Sequence, residues 1–290
     1  MTATRRPGPE LARYVSLLWA SDGAARPGAR ELVLPTGAMH LALRVRGPKL
    51  ALYAHADAAS ATTVGHAVVG GARGAPYVRD IGEAVSSVGA QLLPGAAQAL
   101  FGVGADALAG QHTPLEALWG ASAVEALLDA LAALPPGGPR IARLEAALTA
   151  RIRARFALHP AVAEALVRLE AGAEVGAVVQ ASGFSHRHLS VLFQREVGLA
   201  PKLFADVRRF AAVVAQMRAS GAVSLSALAV ASGYCDQAHL TRAFRARAGL
   251  PPGRYRALAP ASAHHVPLDA ADGASQVKFV QDAARVRRPH

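Results

Sequence analysis

The chain has 290 residues, a single cysteine, and 31 lysines and arginines against 20 acidic residues, for a net charge of +11. The length fits two domains rather than one. Lone Cys235 rules out an internal disulfide framework or a multi-cysteine metal site, and no run of 18 apolar residues offers a membrane span. The positive surplus points to a polyanionic partner, nucleic acid ahead of an acidic membrane surface.

The opening MTATRRPGPELARY has no apolar stretch to make a signal peptide, so a cytoplasmic protein is expected. The next hundred residues read as short strands broken by turns: LVLP (32–35), MHLALRV (39–45), LALYAH (50–55) and HAVVG (66–70), punctuated by Gly37, Gly47-Pro48, Gly70-Gly71 and Gly74. They predict a β-rich, cupin-like barrel or sandwich over residues 1–113. The stretch Gly65–Gly74 has no Gly-Lys-Ser/Thr ending, which favours a hairpin over a phosphate loop. His40, His55 and His66 lack a tight His-x-His pair with a following acid, so no metal is expected; they face solvent or a ligand cavity. Tyr14, Trp19 and Trp119 read as core or cavity-wall aromatics.

Pro94 begins a more helical stretch, and Pro114 opens LEALWGASAVEALLDALAAL with apolar residues at helical spacing. Pro135-Pro136-Gly137-Gly138-Pro139 must break that helix. A second runs from about Ile141 to Phe156, with Arg143, Arg151, Arg153 and Arg155 on polar positions. Residues 114–157 are thus expected to be a helical connector. At the other end, residues 261–290 read as a flexible, poorly packed tail. The fold class expected for the whole is multidomain α+β, with an all-α C-terminal domain over 158–260.

Two segments about fifty residues apart are similar to each other, 178–209 and 228–258. Ala181-Ser182-Gly183-Phe184 matches Ala231-Ser232-Gly233-Tyr234, His188-Leu189 matches His239-Leu240, and Phe193 matches Phe244. Gly198-Leu199-x-Pro201 matches Gly249-Leu250-x-Pro252, and Phe204 pairs with Tyr255. Gly183 and Gly233 sit where a helix stops. Ser185 and Asp236 are placed to cap the next helix, whose Leu189/Phe193 or Leu240/Phe244 pair lies four apart on one inward face. Pro201 and Pro252 suit a following first turn. This is the helix-turn-helix plan used twice, in units of about 160–200 and 221–258. Between them, KLFADVRRFAAVVAQMRAS (202–220) predicts one helix of about 18 residues, roughly 27 Å, long enough to hold two groove helices about one DNA turn apart. The charge agrees: residues 177–260 carry eleven basic against three acidic side chains, whereas residues 1–110 carry ten against seven.

Residues 158–260 resemble the AraC/XylS-type transcription regulators on these motifs, and the N-terminal half resembles the β-rich sensor of some of them on Leu34-Pro35-Thr36-Gly37, Leu93-Pro94-Gly95, Leu100-Phe101-Gly102 and Leu115-Glu116-x-Leu118-Trp119-Gly120. The resemblance implies that the second helix of each unit enters the major groove. The base-reading candidates it implies are His186, Arg187, Ser190 and Val191 in unit one, and Gln237, Ala238, His239 and Arg242 in unit two. Val191 and Ala238 depart from the longer polar side chains commoner there and offer only apolar contact to a thymine methyl. Arg208, Arg209, Arg245 and Arg256 are the phosphate candidates. The expected partners are double-stranded DNA, a small-molecule effector of unidentified class, a second copy of the chain, and RNA polymerase; no cofactor, metal or membrane is expected. The alternative from another class is a cupin-like metal enzyme, or a DNA-repair protein with a helix-turn-helix appendage, but the zinc-binding cysteines of the latter are missing.

Overall fold

In the computed structural model, which describes residues 2–152, 156–219 and 223–268, the chain opens with nine strands: β1 (Thr2–Arg5), β2 (Val15–Gly23), β3 (Arg30–Val33), β4 (Met39–Arg46), β5 (Ala51–Tyr53), β6 (Ala61–Thr63), β7 (Ala67–Gly70), β8 (Tyr77–Asp80) and β9 (Val85–Leu92). Helix α1 (Ala105–Leu108) and strand β10 (His112–Pro114) follow. The connector is α2 (Glu116–Trp119), α3 (Ala121–Ala132) and α4 (Gly138–Ala150). Then come α5 (Pro160–Glu170), α6 (Val175–Ser182), α7 (His186–Val197), α8 (Pro201–Ala219), α9 (Leu225–Ala231), α10 (Gln237–Ala248) and α11 (Pro252–Leu258), and the described chain ends in β11 (His265–Leu268).

The strands form two antiparallel sheets. One has the order β1-β2-β9-β4-β7-β10, the other β11-β3-β8-β5-β6. Each apolar alternation is satisfied outward, against helices. Leu18, Ala20, Met39, Leu41, Leu43, Val88 and Ala90 of the first sheet share a core with Val124, Leu127 and Leu131 of α3, Ile141, Leu144 and Leu148 of α4, and the buried residues of α5 and α7. Leu32, Val78 and Val266 of the second sheet share another with Phe210, Val213, Val214, Phe244 and Tyr255 of α8, α10 and α11. Because successive strand residues point to opposite faces, His40, Ala42 and Arg44 on β4 and Glu31, Tyr77 and Arg79 on β3 and β8 are turned inward, between the sheets. The space that is apolar in most sandwiches is therefore polar here.

Several expectations need correction. The stretch after Pro114 is not one helix: Gly120, at φ 85° and ψ 148°, breaks it into α2 and α3. Gly65–Gly74 is not a hairpin, since β7 within it lies between β4 and β10 and its last residues leave the sheet as a loop. The second connector helix ends at Ala150, not near Phe156; Arg153 and Arg155 lie outside the described residues, as do 269–290. The flexible-tail reading fails for its first part. Residues 265–268 form β11, pairing antiparallel with β3 from His265 opposite Val33 to Leu268 opposite Arg30. Val266 there is completely buried in the core shared with α8, α10 and α11, and the strand covers an edge that β3 would otherwise expose. The strand thus returns from the last helix of the C-terminal domain to the N-terminal sheet.

This closure predicts that Val266→Asp, which places an unpaired charge between β3 and α11, costs about 3 kcal/mol or more. Urea unfolding should show the loss, and hydrogen exchange should rise together in β3 and α8–α11. Faster exchange confined to β11 would show that the lobe does not depend on the strand.

Candidate nucleic-acid interface and inter-sheet cluster

The C-terminal helices form two three-helix lobes that share α8. In lobe one α6 ends at Gly183, which adopts φ 72°, and Ser185 caps α7 by accepting from the His188 amide at 3.3 Å. In lobe two Gly233 adopts φ 71° and Asp236 caps α10 through the His239 amide at 2.6 Å. Both second helices end on left-handed glycines, Gly198 and Gly249, and Pro201 and Pro252 open the helices that follow. The inward pairs are fully buried: Leu189 and Phe193 in one, Leu240 and Phe244 in the other. Helix α8 has 19 residues, about 28 Å.

With those faces buried, the outer faces of α7 and α10 are open. His186, Arg187 and Val191 are exposed and Ser190 is half-buried on α7; Gln237, Ala238 and Arg242 are exposed and His239 is half-buried on α10. Val191 is 58% exposed. The side chains of Arg187, Arg242 and Arg245 make no hydrogen bond, ion pair or ring contact with other described residues. His239 packs edge-on against the Tyr234 ring at 5.2 Å, as His188 packs on Phe184 at 4.7 Å, so both histidines brace the turn aromatic. Two of the phosphate candidates are likewise engaged: Arg256 donates to the Val223 carbonyl at 2.8 Å, and Arg209 lies 5.6 Å over the Tyr234 ring. Arg208 is on the surface, 3.5 Å from the Glu170 carboxylate, a pairing of little strength.

A second constellation lies between the sheets, and of its members only His40 was singled out by the sequence. Register places His40 opposite Gly70 and Gly70 opposite His112, so both imidazoles emerge on one face across a residue with no side chain. A Cβ on Gly70 would stand 2.1 Å from the His40 ring. The His40 and His112 centroids are 6.0 Å apart, and Tyr77 of the other sheet lies 4.5 Å from His112. Arg73 holds the Gln111 carbonyl at 2.9 Å and His112 Nδ1 at 3.1 Å, with its guanidinium 4.6 Å over Tyr77. Arg44 donates to the carbonyls of Pro48 and Lys49, while Arg79 pairs with Glu31 at 2.5 Å, and Glu31 also accepts from His265 of β11 at 2.9 Å. Burial, then the neighbouring Arg73, lowers the His40 pKa to about 3 and that of His112 to about 2. Burial raises the Glu31 carboxyl, but His265 and Arg79 outweigh it and bring it down to about 2. Among the described residues no three His, Cys, Asp or Glu side chains converge as metal ligands, and exposed Cys235 is unpaired.

The pair of lobes joined by one long helix and bearing open second helices defines a bihelical DNA-binding domain behind a β-rich N-terminal domain. Residues 178–258 match the family described as helix-turn-helix domain, and residues 3–114 match a domain of unknown function, DUF6597. The helix-turn-helix match spans both lobes and the long helix between them. Among solved structures, the chain is similar to the C-terminal domain of AraT, a response regulator from Geobacillus stearothermophilus, with 20% identity, coverage of 35% of this chain and 88% of that one, and a TM-score of 0.33. It is similar to the xylose-binding transcription activator XylR with 22% identity, over 37% of this chain and 29% of that one, at a TM-score of 0.30. With ToxT from Vibrio cholerae O395 the identity is 7%, over 84% of this chain and 99% of that one, at a TM-score of 0.45. No curated protein matches the chain.

The enclosed histidines make stability depend on pH. His40, His112 and His264, the last at about 4, all sit below the 6.5 of a free imidazole. The unfolded chain therefore binds protons first as pH falls, and stability declines from about pH 6.5 downward toward the folded-state values. Urea unfolding at pH 7 and pH 5 should show this loss, and His40→Gln should make the decline shallower. An unchanged slope would mean that His40 is not held neutral.

Proposed function

We propose that the chain is a sequence-specific DNA-binding transcription regulator, working in the cytoplasm and not as an enzyme, whose N-terminal domain adjusts DNA binding in response to a small molecule. The observation that carries the reading is the open outer face on both second helices, where Arg187 and Arg242 stand free of partners among the described residues. A free, exposed arginine on the outer face of a groove helix can meet guanine O6 and N7 with both arms of its fork. Gln237 suits adenine in the same way, and Val191 and Ala238 offer apolar contact to thymine methyls. His186 and Ser190 complete the unit-one surface. His239 contributes mainly by fixing the start of α10, since its ring is committed to Tyr234.

Arg208 and Arg245 hold phosphates in this reading, setting affinity and register without reading sequence. Arg209 and Arg256 keep lobe two in shape and reach phosphates only with what their packing leaves free. An enzymatic reading of the metal-dependent kind would need a cluster of ligands, and among the described residues no three His, Cys, Asp or Glu side chains converge.

Two variants separate these roles. Arg242→Ala should relax discrimination at one base pair by about 1–3 kcal/mol, roughly 5- to 150-fold, in binding to a selected operator and its single mismatches. Arg245→Ala should weaken all sequences alike and reduce by about one the slope of log K against log salt. If Arg242→Ala kept full discrimination, its base-reading role would be wrong. DNA affinity insensitive to salt would overturn the regulator reading itself.

A further inference from the structure

We propose that the space between the two sheets is a binding site for a small organic carboxylate, held by Arg73, His40, Tyr77 and His112, with Arg44 and Arg79 completing its cationic wall. The site would supply the ligand class of the effector response proposed above, and it rests on that reading only for its regulatory consequence.

The argument begins with what the strands turn inward. Both apolar faces are used on helices, so β4 and β8 direct His40, Arg44, Tyr77 and Arg79 toward one another across the gap. His40 and Tyr77 are half-buried, each keeping accessible surface although it is turned between the sheets. Side chains in a filled core would keep none. Inward alternation alone would also be met by a dry polar network, but such a network satisfies its members. This one does not. His112 Nε2 is buried with no partner, and neither ring nitrogen of His40 nor the Tyr77 hydroxyl bonds to another described residue.

Charge sets the ligand's sign. Three guanidinium groups stand against two carboxylates: Glu31, which Arg79 and His265 already occupy, and Asp80, which accepts from the Tyr53 hydroxyl and acts on Arg44 only through space. Arg73 and Arg44 hydrogen-bond only to neutral partners: backbone carbonyls for both, and the His112 ring for Arg73. Carbonyls satisfy N–H groups but leave net positive charge in an enclosed place, where an anion is worth more than in water. Burial keeps the two imidazoles neutral, so each can offer an N–H to an oxygen without a formal charge of its own. A guanidinium fork, two imidazoles and a phenol suit a planar carboxylate, with the fork supplying the charge-assisted bond.

Occupation would be felt in the DNA-binding domain through two contacts. Arg73 sits in the loop that leaves β7, and that loop is wedged between domains. A side chain at Gly198, the cap of α7, would meet Ala72 at 3.2 Å; one at Gly74 would strike Leu203 of α8; and the Gly74 carbonyl accepts from Arg247 of α10 at 3.3 Å. On the other side, Arg79, Glu31 and His265 connect the gap to β11. A ligand that draws Arg73 inward therefore pulls on the ends of both groove helices' supports.

The test is isothermal titration calorimetry of the full chain with acetate, benzoate and succinate, beside inorganic phosphate and the neutral benzamide. At least one carboxylate should bind saturably while benzamide does not, and Arg73→Gln should weaken it about tenfold or more. Because Arg73 also ties down its own loop, His112→Gln is the companion variant and should weaken binding too. Imidazole nitrogen resonances of His40 and His112 should move on saturation. The proposal is overturned if no carboxylate binds saturably, if binding survives both variants, or if phosphate alone binds. Salt-dependent DNA binding, measured on the same protein without carboxylate, stands or falls separately, so a failed site and a failed regulator give different results.

Discussion

Each sheet of the N-terminal domain spends its apolar face on helices, and nearly everything else in the molecule follows from that constraint. Burial of apolar surface is the main favourable term in folding, and here it joins the domains. Sheet one is covered by α3 and α4, and its core continues into α5 and α7; sheet two is covered by α8, α10 and α11. Neither DNA-binding lobe has a core of its own that stops at a domain boundary. Loops and linkers between independently folded domains usually permit relative motion. Continuous cores do not, so a change in one domain must be accommodated in the other.

The C-terminal domain was legible because its signals are local. A left-handed glycine, a capping Ser185 or Asp236, and an i,i+4 apolar pair are decided within a dozen residues, and their repetition fixed the plan. The N-terminal strands were partly legible where apolar alternation is strong, as in β4, and missed where it is absent. β1 is Thr-Ala-Thr-Arg and is held by its pairing with β2 and by the Arg5–Glu145 ion pair to α4. β10 exists because Thr113 lies opposite Val69, a contact 44 positions away that no window contains. The alternation in β4 was visible, yet its polar side invites the usual reading of solvent-facing residues. Which face of a sheet is the inside depends on where the helices land, and that is decided by tertiary structure.

The same ambiguity hid the second constellation. His40 could be noticed as a strand histidine, but His112 belongs to a segment read as helical, and Arg44, Tyr77 and Arg79 carry no motif. The small surplus of charge in residues 1–110 gave no hint, because charge counts do not distinguish a guanidinium on the surface from one between sheets. Two groups of arginines contrast in their surroundings. Those on the outer faces of α7 and α10 keep full hydration and cost nothing to hold. Arg44 and Arg73 are enclosed, and burial lowers the pKa of both, Arg44 to about 10. An enclosed cation without a carboxylate is expensive, so its presence implies compensation from somewhere.

Chain order adds a last consequence. Strand β11 follows the DNA-binding helices in sequence, yet completes the sheet that begins with β3. Completion of the second sheet therefore depends on a strand that follows lobe two in the chain. A pairing across more than 230 residues carries a large loop-closure cost, and α8 to α11 lower it by occupying most of that interval as compact structure. Val266, buried against both Leu32 and the lobe-two core, belongs to sheet and lobe at once. Loosening the lobe removes the edge strand's support, and loosening the edge exposes the lobe's core. The two domains are in that sense one cooperative unit, and a ligand bound between the sheets would act on it as a whole.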